Sequence, residues 1–279
     1  MSRQMAFLSN DFSLFDLALE ACGSTLAGHK DAPYDGWGIG YYVEDRALVQ
    51  KKPTSIEGRT DLAELVRDVR SHSVMAHLRR AIQGVASPEN TQPFRFRNWL
   101  CAHIGEASFS PQGTEMLRQA LPGFLQHNVR GDTDSEVALH FFFDFLRTHA
   151  RIDRDIVAVD ALLAAARDAV QTIVRINKAS GEVRTPSLDM VFLSGRMMVA
   201  VAASTSTLAT LRIGAMERFE AQLFADSPPK VQNYPHFRGI FLSFDPNDPE
   251  RKWITAPPRS VIVVDEHLQV HTAPLDIDV

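Results

Sequence analysis

Apolar and polar residues change their period several times along the chain, and each change marks an element. The run MAFLSN at 5–10 predicts a short buried strand, and DFSLFDLALEACGSTL at 11–26 carries Phe12, Phe15, Leu19 and Cys22 at helical spacing. Asp11 or Ser13 is placed to cap that helix. DGWGIGYYVEDRALVQKKP at 35–53 predicts two strands joined at the polar EDR, and DLAELVRDVR at 61–70 a short helix. SVMAHLRRA at 73–81 and WLCAHIGEASF at 99–109 predict buried strands, separated by a proline-bearing loop, SPENTQPF.

The middle of the chain turns helical. Thr133 followed by Glu136 is a capping box that opens a helix through residue 150, and an alanine-rich helix is predicted over 155–181, ending at Gly181. Strands return at 188–204, with a hairpin at Ser194–Gly195, then at 238–246 and 259–271. Strands, then helices, then strands, without strict alternation, predict a layered α+β fold of mostly antiparallel sheets, in one domain over 1–279.

Composition narrows the function. With 29 Lys and Arg against 34 Asp and Glu, the chain lacks the basic excess that phosphate binding needs, so no nucleic-acid partner is expected. No apolar run approaches the ~20 residues of a membrane span, and no signal peptide is evident, so the expected location is the cytoplasm. Cys22 and Cys101, far apart in apolar surroundings, are expected to be buried thiols.

Several motifs are absent or fail. DGWGIG does not have the dinucleotide-binding spacing and precedes no helix; its glycines indicate instead close approach of another backbone or a ligand. There is no GxSxG, Walker A, HExxH or CxxC. His77 and His103 lie on apolar strands and are expected to be satisfied core histidines, and no metal or cofactor is expected.

Four stretches combine: MSR at the start, DGWGIG, the block AHLRRAIQGVASPENTQPF with WLCAHIGEASF, and GDTDSE opening a helix. In order and spacing they resemble the class II glutamine amidotransferases, in particular their short stand-alone members, and KWITAPPRSVIVVDEHLQV resembles the same family's closing strands. The resemblance implies a four-layer αββα sandwich of the N-terminal-nucleophile hydrolase type. It also implies a nucleophile at residue 2, freed by loss of Met1, whose own α-amine acts as base. Arg79 falls where the family holds the substrate α-carboxylate, Asp134 where it holds the α-ammonium, and Gly105 where its backbone serves the oxyanion hole. The implied ligand is an amino acid or a γ-glutamyl compound. A separate ammonia-accepting or regulated protein is the implied partner.

The departures gather at the reaction centre. Ser2 replaces the nucleophilic cysteine, Ile104 the oxyanion asparagine, Ile82 a threonine and Gln92 a histidine. A serine hydroxyl needs a stronger base than a thiol, and loss of one oxyanion donor costs about 10²–10³ in rate. The expectation is a binding or regulatory relative that keeps the amino-acid clamp with little or no glutaminase activity. The alternative is an amidohydrolase that uses Ser2 on a glutamine-like amide. A third possibility fills the pocket with Ile82 and Ile104 and leaves a scaffold for protein contacts.

Overall fold

The computed structural model describes residues 2–15, 34–53, 68–81, 84–203, 211–217, 236–244 and 254–276. The helices predicted over 11–26 and 61–70 lie largely outside these residues, as do Cys22 and Ile82. Among the described residues, no helix is long and apolar enough to cross a membrane.

The described chain is built on two antiparallel sheets. The first contains β1 (Arg3–Ser9), β2 (Gly36–Val43), β3 (Arg46–Lys52), β4 (Ser73–Arg79), β9 (Leu211–Glu217), β10 (Arg238–Phe244) and β11 (Ile254–Thr255), in the order β11-β9-β10-β1-β4-β2-β3. The second contains β5 (Phe94–Phe96), β6 (Trp99–Ile104), β7 (Asp189–Leu193), β8 (Met198–Ala202), β12 (Ser260–Val264) and β13 (Val270–Pro274), in the order β13-β12-β8-β7-β6-β5. The hairpin at EDR turns on Glu44 and Asp45, both at positive φ (47° and 61°), as a two-residue turn between twisted strands requires. FRFRN, a run of basic residues in the sequence, proves to be a second tight hairpin, with Arg97 at φ 53°.

Strand alternation divides each sheet into two faces. Ala6, Leu8, Met75 and Tyr42 of the first sheet pack against Leu100, Ala102, Ile104 and Val191 of the second, forming the inter-sheet core. On the outer face of the first sheet, Phe7 meets Phe241 at 4.4 Å and Phe15 at 5.1 Å between ring centroids. The outer face of the second sheet is covered by α1 (Pro111–Ala120), α2 (Gly123–Gln126), α3 (Asp134–His149) and α4 (Val159–Ala179). Phe142 of α3 stacks on Phe192 of β7 at 4.0 Å, and the small Ala165, Ala166 and Ala169 let α4 lie close to its neighbours. Three layers of the expected αββα sandwich are thus described.

The elements differ from the pattern in detail. α1, α2, β5, β9 and β11 were not predicted, and α4 begins at Val159, four residues late, then ends as expected before Gly181 (φ 84°). The capping box is half made. Thr133 Oγ1 accepts from the Glu136 N–H at 3.4 Å, but the Glu136 carboxylate accepts from Arg130 N–H (3.1 Å) and Gly131 N–H (2.7 Å). It therefore anchors the loop before the helix.

Two polar ties lock the sheets together away from the glycine strand's start. The Tyr42 hydroxyl lies 2.5 Å from the Leu193 carbonyl oxygen and 2.8 Å from that of Asn98, and Ser73 Oγ donates to the Gly195 carbonyl at 2.6 Å. Tyr42→Phe removes the donor and leaves buried carbonyls facing an apolar ring. Denaturant unfolding should show a loss of about 1–3 kcal/mol; an unchanged midpoint would mean that the tie contributes nothing.

Candidate active site

The register of β1 and β4 sets the first part of the site. Arg3 pairs with Leu78 and Gln4 with His77, so Ser2 arrives level with Arg79. Ser2 Oγ accepts the Arg80 N–H at 2.9 Å and lies 3.3 Å from the Arg80 carbonyl oxygen. Arg79 is buried at the end of β4, where Nη2 donates to the Gly84 carbonyl at 3.1 Å. Burial disfavours its charge, and Asp35 and Asp132 act against that effect. Asp35 also accepts the Ala81 N–H at 2.7 Å and donates its own N–H to the Arg79 carbonyl at 2.8 Å.

Gly84 links this arginine to the next element. A β-carbon on it would come within 2.9 Å of Asn90 and Asp132 and 3.0 Å of Thr133, the residue that caps α3. Arg79 therefore reaches the segment leading into Asp134 through a single residue. Asn90 ties the same corner: it accepts the Asp132 N–H at 3.0 Å and donates to the Val85 carbonyl at 3.1 Å.

Asp134, the first residue of α3, is buried and heavily engaged. Oδ2 accepts from Ala107 N–H (2.7 Å) and Ser108 N–H (3.1 Å), while Oδ1 accepts from Ser135 N–H (2.8 Å). A carboxylate at a helix N-terminus is favoured by the free N–H groups and the dipole. This one also pins the loop that follows β6. With about four lone-pair sites per carboxylate, one acceptor position remains, on Oδ1.

Between these poles runs the end of β6. Gly105 has φ +132°, and a β-carbon there would sit 2.3 Å from the Ser187 carbonyl oxygen, so only glycine fits. Ile104 is buried in the inter-sheet core. Gln92 is spliced onto the same strand: its Oε1 accepts the His103 N–H at 2.6 Å, and its Nε2 donates to the His103 carbonyl at 3.1 Å. The Gln92 carbonyl oxygen rests on Gly38, where a β-carbon would be only 2.1 Å away. The glycine strand thus serves the close backbone approach expected of it.

The two core histidines differ. His103 is satisfied, with Nε2 against the Ser187 carbonyl and Nδ1 against the Ser135 hydroxyl, both at 2.8 Å, which assigns the proton to Nε2. His77 departs from expectation: both ring nitrogens are buried and neither has a hydrogen-bond partner among the described residues. Gln4, its cross-strand neighbour, is in the same condition. Sequence reasoning missed Gln4, Asp35, Asn90 and Ser187. Asp35 opens DGWGIG and Asn90 lies within SPENTQPF, and these two motifs held the available signal. Among the described residues, no three His, Cys, Asp or Glu side chains gather as a metal site.

Two facing antiparallel sheets with helices outside, and a first strand that begins beside a buried arginine, form a sandwich of the N-terminal-nucleophile hydrolase type. The family profile of class II glutamine amidotransferases matches residues 1–227, and the chain belongs to that family. It is 31% identical over 163 residues to the provisionally named glutamine amidotransferase YafJ of Escherichia coli K12, covering 55% of this chain and 59% of that protein. A Haemophilus influenzae protein with a similar provisional name is 30% identical over 131 residues, 45% of this chain and 41% of its own. The chain thus matches less than two thirds of either relative. A glutamine aminotransferase class-II domain protein of Silicibacter pomeroyi shares the fold at TM-score 0.60 and 15% identity, with 98% of both chains covered. The glutamine phosphoribosylpyrophosphate amidotransferase of B. subtilis shares it at TM-score 0.51 and 13% identity, over 99% of this chain and 50% of its own.

Two measurements follow from the site. Burial, reinforced by Arg79, lowers the His77 imidazole from 6.5 to about 3. Below about pH 6.5 the unfolded chain takes up a proton that the folded chain refuses until about pH 3, so stability is lost as pH falls through that window. Unfolding midpoints should fall more steeply with acid in the wild type than in His77→Leu, and parallel slopes would refute the assignment. Asp134→Asn places an amide N–H₂ or a neutral oxygen against three backbone donors. It should cost about 2–3 kcal/mol by denaturant unfolding, and an unchanged stability would show that the loop is held otherwise.

Proposed function

We propose that this chain binds glutamine or a γ-glutamyl compound and has little or no glutaminase activity. The observation that carries this reading is the contrast between the poles and the centre of the site. Arg79 and the α3 start that bears Asp134 meet at one corner, whereas Ile104, an apolar side chain, occupies the place of the oxyanion donor. A guanidinium presents a fork matched to a carboxylate, and the remaining lone pair on Asp134 Oδ1 suits one N–H of an ammonium. The Ile104 side chain donates no hydrogen bond to a developing oxyanion, a loss of about 3–4 kcal/mol in the transition state.

The second reading, an amidohydrolase with Ser2 as nucleophile, draws on the position of Ser2 level with Arg79. It requires removal of Met1, because only a free α-amine supplies a base, with a pKa of about 8. Intact mass and ammonia release separate the two. The binding reading expects calorimetry to detect L-glutamine or γ-glutamyl ligands, Arg79→Gln to weaken that binding by about 2 kcal/mol or more, and no ammonia release above background. Ammonia release that vanishes in Ser2→Ala would replace it with the hydrolase reading. Absence of any amino-acid binding would overturn the clamp itself.

A further inference from the structure

The basic run FRFRN at 94–98 has no part in the site, and the fold shows what it joins. β3 is the end strand of the first sheet and β5 the end strand of the second. Asn98, in the turn after β5, accepts the Ala47 N–H at 2.9 Å and donates to the Asp45 carbonyl at 2.8 Å, while Arg95 donates to the Ala47 carbonyl at 3.1 Å. Further along β3, the Lys51 ammonium lies 5.4 Å from the centroid of the Phe94 ring. The β5–β6 hairpin is thus stitched along β3, and both sheets end on one side of the sandwich.

That side gathers five cations: Arg46, Lys51 and Lys52 of β3, with Arg95 and Arg97 of the hairpin. All but the half-buried Lys51 are exposed, and among the described residues none of the five is in an ion pair. Glu44 and Asp45 stand at one end of the row, in the β2–β3 turn, and Glu89 at the other, beside the Pro88 carbonyl to which Lys51 donates. In a chain with more acidic than basic residues, five unpaired cations on one edge are a segregation of charge. At the strand rise, Arg46 to Lys52 spans about 20 Å.

The edge is also partly open. Tyr42 faces Ala47 across the β2–β3 pair, yet its N–H goes to Ser71 Oγ at 3.0 Å. Hydrogen-bonded and non-bonded pairs alternate along an antiparallel ladder, so Ala47, Val49 and Lys51 turn their main-chain groups away from β2. Those of Ala47 are filled by Asn98 and Arg95, whereas those of Val49 and Lys51 have no partner among the described residues. Leu48, 42% exposed, stands between them.

We infer that the β3 edge is a docking site for an extended acidic segment of a partner protein, added as a strand beside Val49 and Lys51. A polypeptide supplies the main-chain donors and acceptors that these two residues lack, its carboxylates meet the five cations, and an apolar side chain covers Leu48. Cations on an edge strand ordinarily keep other strands away. A row of one sign does so selectively: it repels a second copy of β3 and attracts a strand of opposite charge. A nucleic acid would answer the cations but leave the open main-chain groups unmatched, and the net negative charge of the chain works against it. The inference uses neither Arg79 nor Asp134 and stands apart from the ligand proposed above.

A fluorescently labelled octapeptide of alternating glutamate and valine, titrated with the full chain at low salt and followed by anisotropy, tests this. It should bind, and more weakly as salt is added. Arg46→Glu combined with Lys52→Glu, both exposed side chains, should weaken binding about tenfold or more, while Arg175→Glu on the exposed face of α4 should leave it unchanged. The same peptide N-methylated throughout keeps its charges and loses its N–H donors, and should bind about tenfold more weakly to the unaltered protein. Absence of binding at low salt would leave the cations as a guard against strand pairing and overturn the inference. Equal binding by wild type and the double variant, or by the peptide and its N-methylated form, would overturn it too. So would an oligouridylate of equal charge binding as tightly as the peptide, which would mark attraction for any polyanion.

Discussion

The site depends on how closely two sheets are allowed to approach at one end. Side chains normally hold facing sheets about 10 Å apart. At Gly38 there is no side chain, and the Gln92 peptide fills the space directly, its carbonyl oxygen 2.1 Å from where a β-carbon would be. Gln92 then grips His103 by both backbone groups, so one residue fastens the loop before β5 to strands of both sheets. An amide side chain can do this because it presents a donor and an acceptor side by side, as a peptide does; an imidazole presents them on opposite edges. Gln92 entered as a departure from the family pattern, and its geometry gives it a structural task of its own.

Asp134 is likewise fixed by the backbone around it. Three backbone N–H groups already bind its carboxylate, two of them from the loop after β6. That commitment shapes the position of Gly105 and of everything the strand end presents. On the proposed reading it also orients the one remaining lone pair, since a carboxylate held at three points cannot rotate. The burial of such a group is tolerable because its partners are the otherwise unsatisfied donors of a helix start and a turn.

Much of this was legible from residue patterns, for identifiable reasons. Strands β1, β4, β6 and β12 are short apolar runs bounded by turn residues, and α3 has a threonine cap, so local chemistry and burial agree. The glycines of β2 announced close packing because nothing else explains three of them in one strand. The start of α4 was misplaced because residues 155–158 carry helix-compatible composition but no cap. β9 was missed because apolar and polar residue types do not alternate cleanly in LRIGAME. The state of Gln4 and His77 could not be read at all. Whether a buried polar residue has a partner is a property of cross-strand register, and the pairing of residue 4 with residue 77 leaves no trace in either segment alone.

Ile104 adds an apolar side chain to the inter-sheet core, while Gln4 and His77, on the inner face of β1 and β4, stay polar and without hydrogen-bond partners among the described residues. Burying two hydrogen-bonding side chains without partners is a cost that apolar replacements of the same shape would relieve. The Ser2 hydroxyl, by contrast, accepts the Arg80 N–H, whereas Gln4 and His77 have no hydrogen-bond partner among the described residues.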